Sequence, residues 1–228
     1  NCASLSFPSM SALVATTTTN FNTIPDGSYA CVLTVTDIYG NQGTATMTPF
    51  TVDTVALPPN VSFTNPINSI NQTAVSFTGT AEATSTLFYT FYNVLATTTQ
   101  VTGTTTIDSL GNINSSLDLS SLSDGNILGE LFIVDAAGNT SSLVQLILFK
   151  ETTLPVVLEI NPVTPSLTST NTPAYTFSTT EDVAISFTGG ANCTSLTFPS
   201  MSAVVGTTTT NFNTIPDGSY ACVLTVTD

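Results

Sequence analysis

Histidine and tryptophan are absent from this 228-residue chain, and Lys150 is its only basic side chain. Without histidine, no general base of the usual kind works near neutral pH, and no Ser-His or Cys-His pair can assemble. Charge of either sign is scarce: 7% of residues are charged, against roughly 25% in an ordinary soluble domain. What charge exists is acidic, giving a net charge of −14 that repels phosphate backbones and anionic lipid. Nucleic-acid binding and membrane-surface binding are excluded as expectations, whereas divalent cations are attracted. No apolar run reaches the roughly 18 residues of a spanning helix, so no membrane insertion is expected in this segment. Asn1 does not open a signal peptide; a secreted parent is expected to carry its signal upstream. No 3.6-residue periodicity of useful length occurs, and no Cys-x-x-Cys pair.

What is present is repetition. Asn1–Asp37 returns as Asn192–Asp228, an offset of 191 residues, with differences only at Ala3/Thr194, Ser6/Thr197, Leu13/Val204 and Ala15/Gly206. Such copies mark a tandem array. The chain is therefore expected to be a slice of a longer string of modules, begun and ended within a repeat. A shorter period lies inside: Asp26-Gly27, Asp124-Gly125 and Asp217-Gly218 are spaced by 98 and 93 residues, and each precedes a second aspartate, Asp37, Asp135 or Asp228. Two module types of about 95 residues alternate: type A with cysteines, type B without.

Between the two aspartates the pattern has period two. Tyr220, Cys222, Leu224 and Val226 in type A, and Ile127, Gly129, Leu131 and Ile133 in type B, are expected to face a core. Gly40-Asn41 and Gly138-Asn139 then suit tight hairpins. Strands in type B are expected at 60–64, 73–79, 85–92, 104–107, 113–119, 127–135 and 141–149, an antiparallel two-sheet sandwich. The expected division is 1–53, the C-terminal part of a type A domain; 54–153, a complete type B domain; and 154–228, the N-terminal part of the next type A domain. Open strand edges in the two partial domains fit cropping from a continuous chain, and also strand donation between subunits. The cysteines form two equivalent pairs, Cys2/Cys31 and Cys193/Cys222. That reads as disulfides made in an oxidising compartment, with free buried thiols as the alternative.

Several pieces fall in order at domain period: Ala74–Ala81, Leu119–Gly125, Asp135–Ser141 and the Asp53–Pro58 linker in type B, with Ala174–Glu181, Phe187–Cys193, Asp217–Cys222 and Val226–Asp228 in type A. Together they resemble the tandem bacterial immunoglobulin-like repeats of giant extracellular adhesins and surface fibres, over essentially the whole chain. The resemblance implies an all-β fold of tandem immunoglobulin-like sandwiches and an extracellular or cell-surface location. It implies neighbouring repeats as partners; other copies of the chain are further candidate partners through open strand edges and an outward apolar stripe. Tyr220, two before Cys222, stands where a tyrosine corner would. The missing tryptophan, and a Cys193 that follows the third strand, depart from the antibody pattern.

The resemblance also implies calcium at domain joints, for which hard oxygen ligands are available: Asp37 with Asn41, Asp135 with Asn139, and the linker acids Asp53 and Glu151. The alternative for Asp-x-x-Gly-Asn is a plain hairpin turn in which the aspartate caps its own backbone. No cofactor is otherwise required. The adjacent acids Glu181 and Asp182 read as a solvated turn and not as a catalytic pair, so no enzyme activity is expected. Lys150 reads as a solvated, snorkelling lysine. Sequons at Asn60, Asn71, Asn114, Asn139 and Asn192, and threonine runs at Thr16–Thr19 and Thr207–Thr210, are candidate glycan positions. Outward Leu128, Phe132 and Val134 form a candidate stripe for self-association. The expected role is a non-catalytic structural segment of a fibre, stalk or adhesin. The alternatives are a glycan- or host-surface-binding module, served by Phe88, Tyr89, Phe91 and Tyr92, and an accessory domain of a secreted enzyme.

Overall fold

Alternating apolar and hydroxyl residues leave the backbone one favourable choice, the extended strand. The computed structural model describes residues 2–8, 10–11, 18–164, 166–190 and 192–228. These form strands, turns and two short 3₁₀ segments, Cys2–Ser4 and Cys193–Ser195, with no α-helix among them. Asn1, Leu13, Ala15 and the first two residues of the Thr16–Thr19 run lie outside the described residues. The chain divides into two compact units, Asn1–Glu151 and Thr152–Asp228.

Unit 1 opens with four short strands, β1 (Gly27–Tyr29), β2 (Val32–Thr36), β3 (Gln42–Thr46) and β4 (Phe50–Val52). β1 pairs with β4 and β2 with β3, both antiparallel. β2 and β3 are exposed along their whole length. Phe7 stacks on Phe21, and Phe50 on both Phe21 and Tyr29.

A sandwich follows, made of β5 (Asn60–Phe63), β6 (Val75–Thr80), β7 (Thr86–Asn93), β8 (Ala96–Thr106), β9 (Asn112–Leu117), β10 (Gly125–Val134) and β11 (Val144–Lys150). Its sheets are ordered β11-β10-β7-β8 and β5-β6-β9. Between them lie Val75, Phe77, Leu87, Phe91, Ile113, Leu117, Ile127, Leu131 and Ile133, all buried. The expected inward set of β10 is therefore the observed one, and Gly129 is small because the ring of Phe91 lies against it. The seven expected strands are present. One differs in extent: β8 starts at Ala96, not Thr104. It is an edge strand in which only Val101 packs on the core, so its threonines carry no apolar alternation to read.

Unit 2 contains β12 (Val157–Asn161), β13 (Ala174–Thr179), β14 (Val183–Gly189), β15 (Ser202–Ala203), β16 (Gly206–Asn211) and β17 (Cys222–Thr227). Its sheets are β12-β13-β16 and β15-β14-β17, around Phe177, Val183, Ile185, Leu196, Phe198, Ala203 and Phe212. Tyr220, Cys222, Leu224 and Val226 pack on this core while remaining half-exposed.

Where both are described, the two sequence copies share a disulfide, a tyrosine corner and a loop hydrogen bond, but not every strand: Gly27–Tyr29 is β1, whereas Gly218–Tyr220 is not a strand. Cys2–Cys31 and Cys193–Cys222 are both disulfides, with Cα separations of 5.6 and 5.5 Å. The second joins the turn after β14, the third strand of its unit, to the start of β17, as the cysteine positions imply. Tyr29 Oη donates to Pro25 O and Tyr220 Oη to Pro216 O, each at 2.7 Å, so both copies carry the tyrosine corner. Asn22 N and Asn213 N donate to Ser6 O and Thr197 O at 2.8 and 2.9 Å.

Candidate functional site

One five-residue turn recurs. In Asp37–Asn41, Asp108–Asn112 and Asp135–Asn139, the asparagine N–H and side-chain amide both donate to the leading aspartate's carboxylate. The fourth residue is glycine at φ +88°, +83° and +94°, a left-handed position that a β-carbon resists. The middle copy, Asp-Ser-Leu-Gly-Asn, was legible from its spacing but stands outside the expected set. These hydrogen bonds hold Asp37, by the amide and N–H of Asn41, and Asp108, by the N–H and amide of Asn112, below the ordinary carboxylate pKa. At Asp135 burial pushes the pKa up, and the bonds from Asn139 and the neighbouring N–H groups outweigh it.

The Asp135 turn does more than close a hairpin. Asn139 Nδ2 also donates to Asp53 O at 3.0 Å, which ties the Asp53–Pro58 linker to the sandwich. Leu57 N donates to Glu82 Oε2 at 3.4 Å on the same side. On the other side Thr54 Oγ1 donates to both carboxylate oxygens of Asp26, at 2.9 and 3.1 Å. The linker is thus held from both flanks inside unit 1. Carboxylate oxygens of Asp53, Glu82 and Asp135 come within 4.8 Å of one another. Of the expected calcium residues, Asp53 and Asp135 meet here; Glu82, which no sequence motif marked, joins them. Asp37 and Asn41 form the turn alone, and Glu151 instead donates its backbone N–H to Ile67 O. The donor set is hard oxygen, which suits calcium in type, although each of the three carboxylates already accepts a hydrogen bond from the protein.

Lys150 requires a correction. It is 2% exposed, not solvated. Its Nζ donates to Leu119 O at 3.1 Å, Ser120 O at 3.3 Å and Leu122 O. Three carbonyls converge because residues 119–122 form a tight turn across the end of the sandwich, and only a cation with three donors satisfies them together. A single lysine at a strand end carries no sequence signal for this.

Tyr89 and Phe91 lean inward, with Phe91 fully buried, while Phe88 and Tyr92 lean outward. The four rings are split between two faces and make no common platform. Leu128, Phe132 and Val134 do alternate outward, but are half-buried; Phe132 stacks on Phe88 at 5.1 Å. Asp182 accepts from Val205 N at 2.8 Å, pinning the turn ahead of β14.

These sheets define the class: an all-β protein of antiparallel sandwiches carrying internal repeats. No family model and no curated protein matches the chain. Among solved structures it is similar to the tetra-tandem repeat in the extending region of a large adhesion protein, with TM-score 0.42 and 18% identity over 88% of this chain and 55% of that one. It is also similar to a 1.5-MDa bacterial ice-binding adhesin, with TM-score 0.35 and 17% identity over 86% of this chain and 70% of that one. The chain spans about half the length of the first.

Proposed function

We propose that this chain is a non-catalytic structural segment of a secreted or cell-surface fibre, stalk or adhesin, built of three pieces, 1–53, 54–153 and 154–228. The observation that carries this reading is the linker held on both flanks, by Asp26 on Thr54 and by Asn139 on Asp53 O. A stalk must pass orientation from one module to the next, and short hydrogen-bonded joints do so. The disulfides serve the same end by limiting extension of the modules that contain them. Nuclear spin relaxation tests the joint. Residues 27–52 and 60–150 tumble together in the native chain; Asp26→Ala with Asn139→Ala gives them separate correlation times. Separate tumbling in the native chain would overturn the reading.

Calcium at Asp53, Glu82 and Asp135 belongs to the same proposal, supported by their convergence beside the linker. Calcium titration of the full chain should give saturable heat that Glu82→Gln removes, and an absence of heat removes calcium from the proposal. A glycan-binding role would need exposed, adjacent aromatics, which residues 88–92 do not supply.

A further inference from the structure

Strand β8 combines length, an open edge and an absence of charge. It runs from Ala96 to Thr106 at the margin of the sheet β11-β10-β7-β8, and its outer edge pairs with nothing among the described residues. It stands in mid-chain between β7 and β9, so neither end of the sequence creates that edge. The strand contains no lysine, proline, aspartate or glutamate, the residues that commonly keep sheet edges apart. Most of it is threonine, which favours extended backbone. The opposite margin of the same sheet is closed. There Ile67 N donates to Phe149 O at 2.8 Å, Phe149 N to Asn65 Oδ1 at 2.9 Å and Glu151 N to Ile67 O at 2.9 Å, all along β11.

We infer that β8 is the docking edge for a second copy of the chain, β8 pairing antiparallel with β8 about a two-fold axis at Val101. Charge selects this occupant. Each copy carries a net charge of −14, so two copies meet most readily where neither presents a carboxylate, and β8 offers eleven such residues in a row. The strand is also complementary to itself. With Val101 opposite Val101, Thr97 meets Thr105 and Thr98 meets Thr104, the threonine pairs that suit cross-strand positions. Val101 is the residue of β8 that packs on the sandwich core, so the axis falls where each copy is already apolar.

Two strands of this length form about ten backbone hydrogen bonds across such a contact. Each contributes modestly, but β8 is already held extended by its pairing with β7 from Thr86 to Asn93, so little order is lost on docking. The same register carries Leu95, 95% exposed in the turn ahead of β8, to the far end of the other copy's strand. Two sheets of four strands become one of eight. Because both copies use the same surface, the contact is isologous and closes as a dimer. The inference goes beyond the stalk reading and does not depend on it.

Sedimentation velocity of the full chain over a range of concentrations tests it, in about 0.15 M salt, where charges more than about 8 Å apart are largely screened and directly opposed ones are not. A species of twice the 23.7 kDa chain mass should grow with concentration. Thr98→Asp with Thr104→Asp sets like charges opposite each other on both sides of the axis and should raise the dissociation constant about tenfold or more. Thr98→Asp with Thr104→Lys sets Asp against Lys in the same register and should restore the native dimer. Both threonines are exposed, so the fold tolerates either change. A chain that stays monomeric at every concentration overturns the inference. So does a dimer indifferent to the paired aspartates, or an Asp/Lys variant as weak as the Asp/Asp one.

Discussion

Lys150 shows how much one side chain can hold. Its ammonium serves three carbonyls at the end of the sandwich, two of them on the buried residues Leu119 and Leu122. Lys150→Met keeps the stem and removes the donors, leaving carbonyls unsatisfied; a loss of about 2–4 kcal/mol is expected in urea unfolding. The turn aspartates give a pH signature. Asp37, Asp108 and Asp135 have native pKa values below the ordinary range, so the unfolded chain takes up protons first as pH falls. Their contribution is complete above roughly pH 4–5 and is lost as pH drops through their native values. The unfolding midpoint should therefore fall steadily below pH 4, and Asp37→Asn with Asp108→Asn and Asp135→Asn should flatten that slope. At this scale the sequence was half legible. Asp-x-x-Gly-Asn announced its turn because its bonding is local. The burial of Lys150 and the recruitment of Glu82 depend on residues 28 to 53 positions away, which no local pattern encodes.

Strands were the most legible elements, because period-two alternation is a direct imprint of a sheet with one face on a core. Ile127, Leu131 and Ile133 could be assigned inward without coordinates. Edge strands resisted for the same reason: β8 faces solvent over most of its length and has little to alternate. The disulfides were legible from equal spacing. They act on elements and not on the whole chain. Reduction, or Cys193→Ala with Cys222→Ala, frees a loop of 29 residues and should cost about 3.5 kcal/mol in unit 2. Calorimetry should show that transition fall, while the transition of the cysteine-free core spanning residues 56–148 stays in place.

Across the whole molecule, composition and burial combine into a protease property. Trypsin requires lysine or arginine, and the chain offers one, held in β11 with its side chain under the 119–122 turn. The native chain should survive trypsin intact. In denaturant a single cut should yield fragments 1–150 and 151–228, and its rate should track the opening of β11; rapid cleavage in native buffer would contradict the placement of Lys150. Aldehydes, reducing sugars and activated esters all seek a nucleophilic side-chain nitrogen, and this protein keeps its single one sealed beneath backbone oxygens. Glycation and tanning by carbonyl compounds therefore find no exposed lysine or arginine side chain among the described residues.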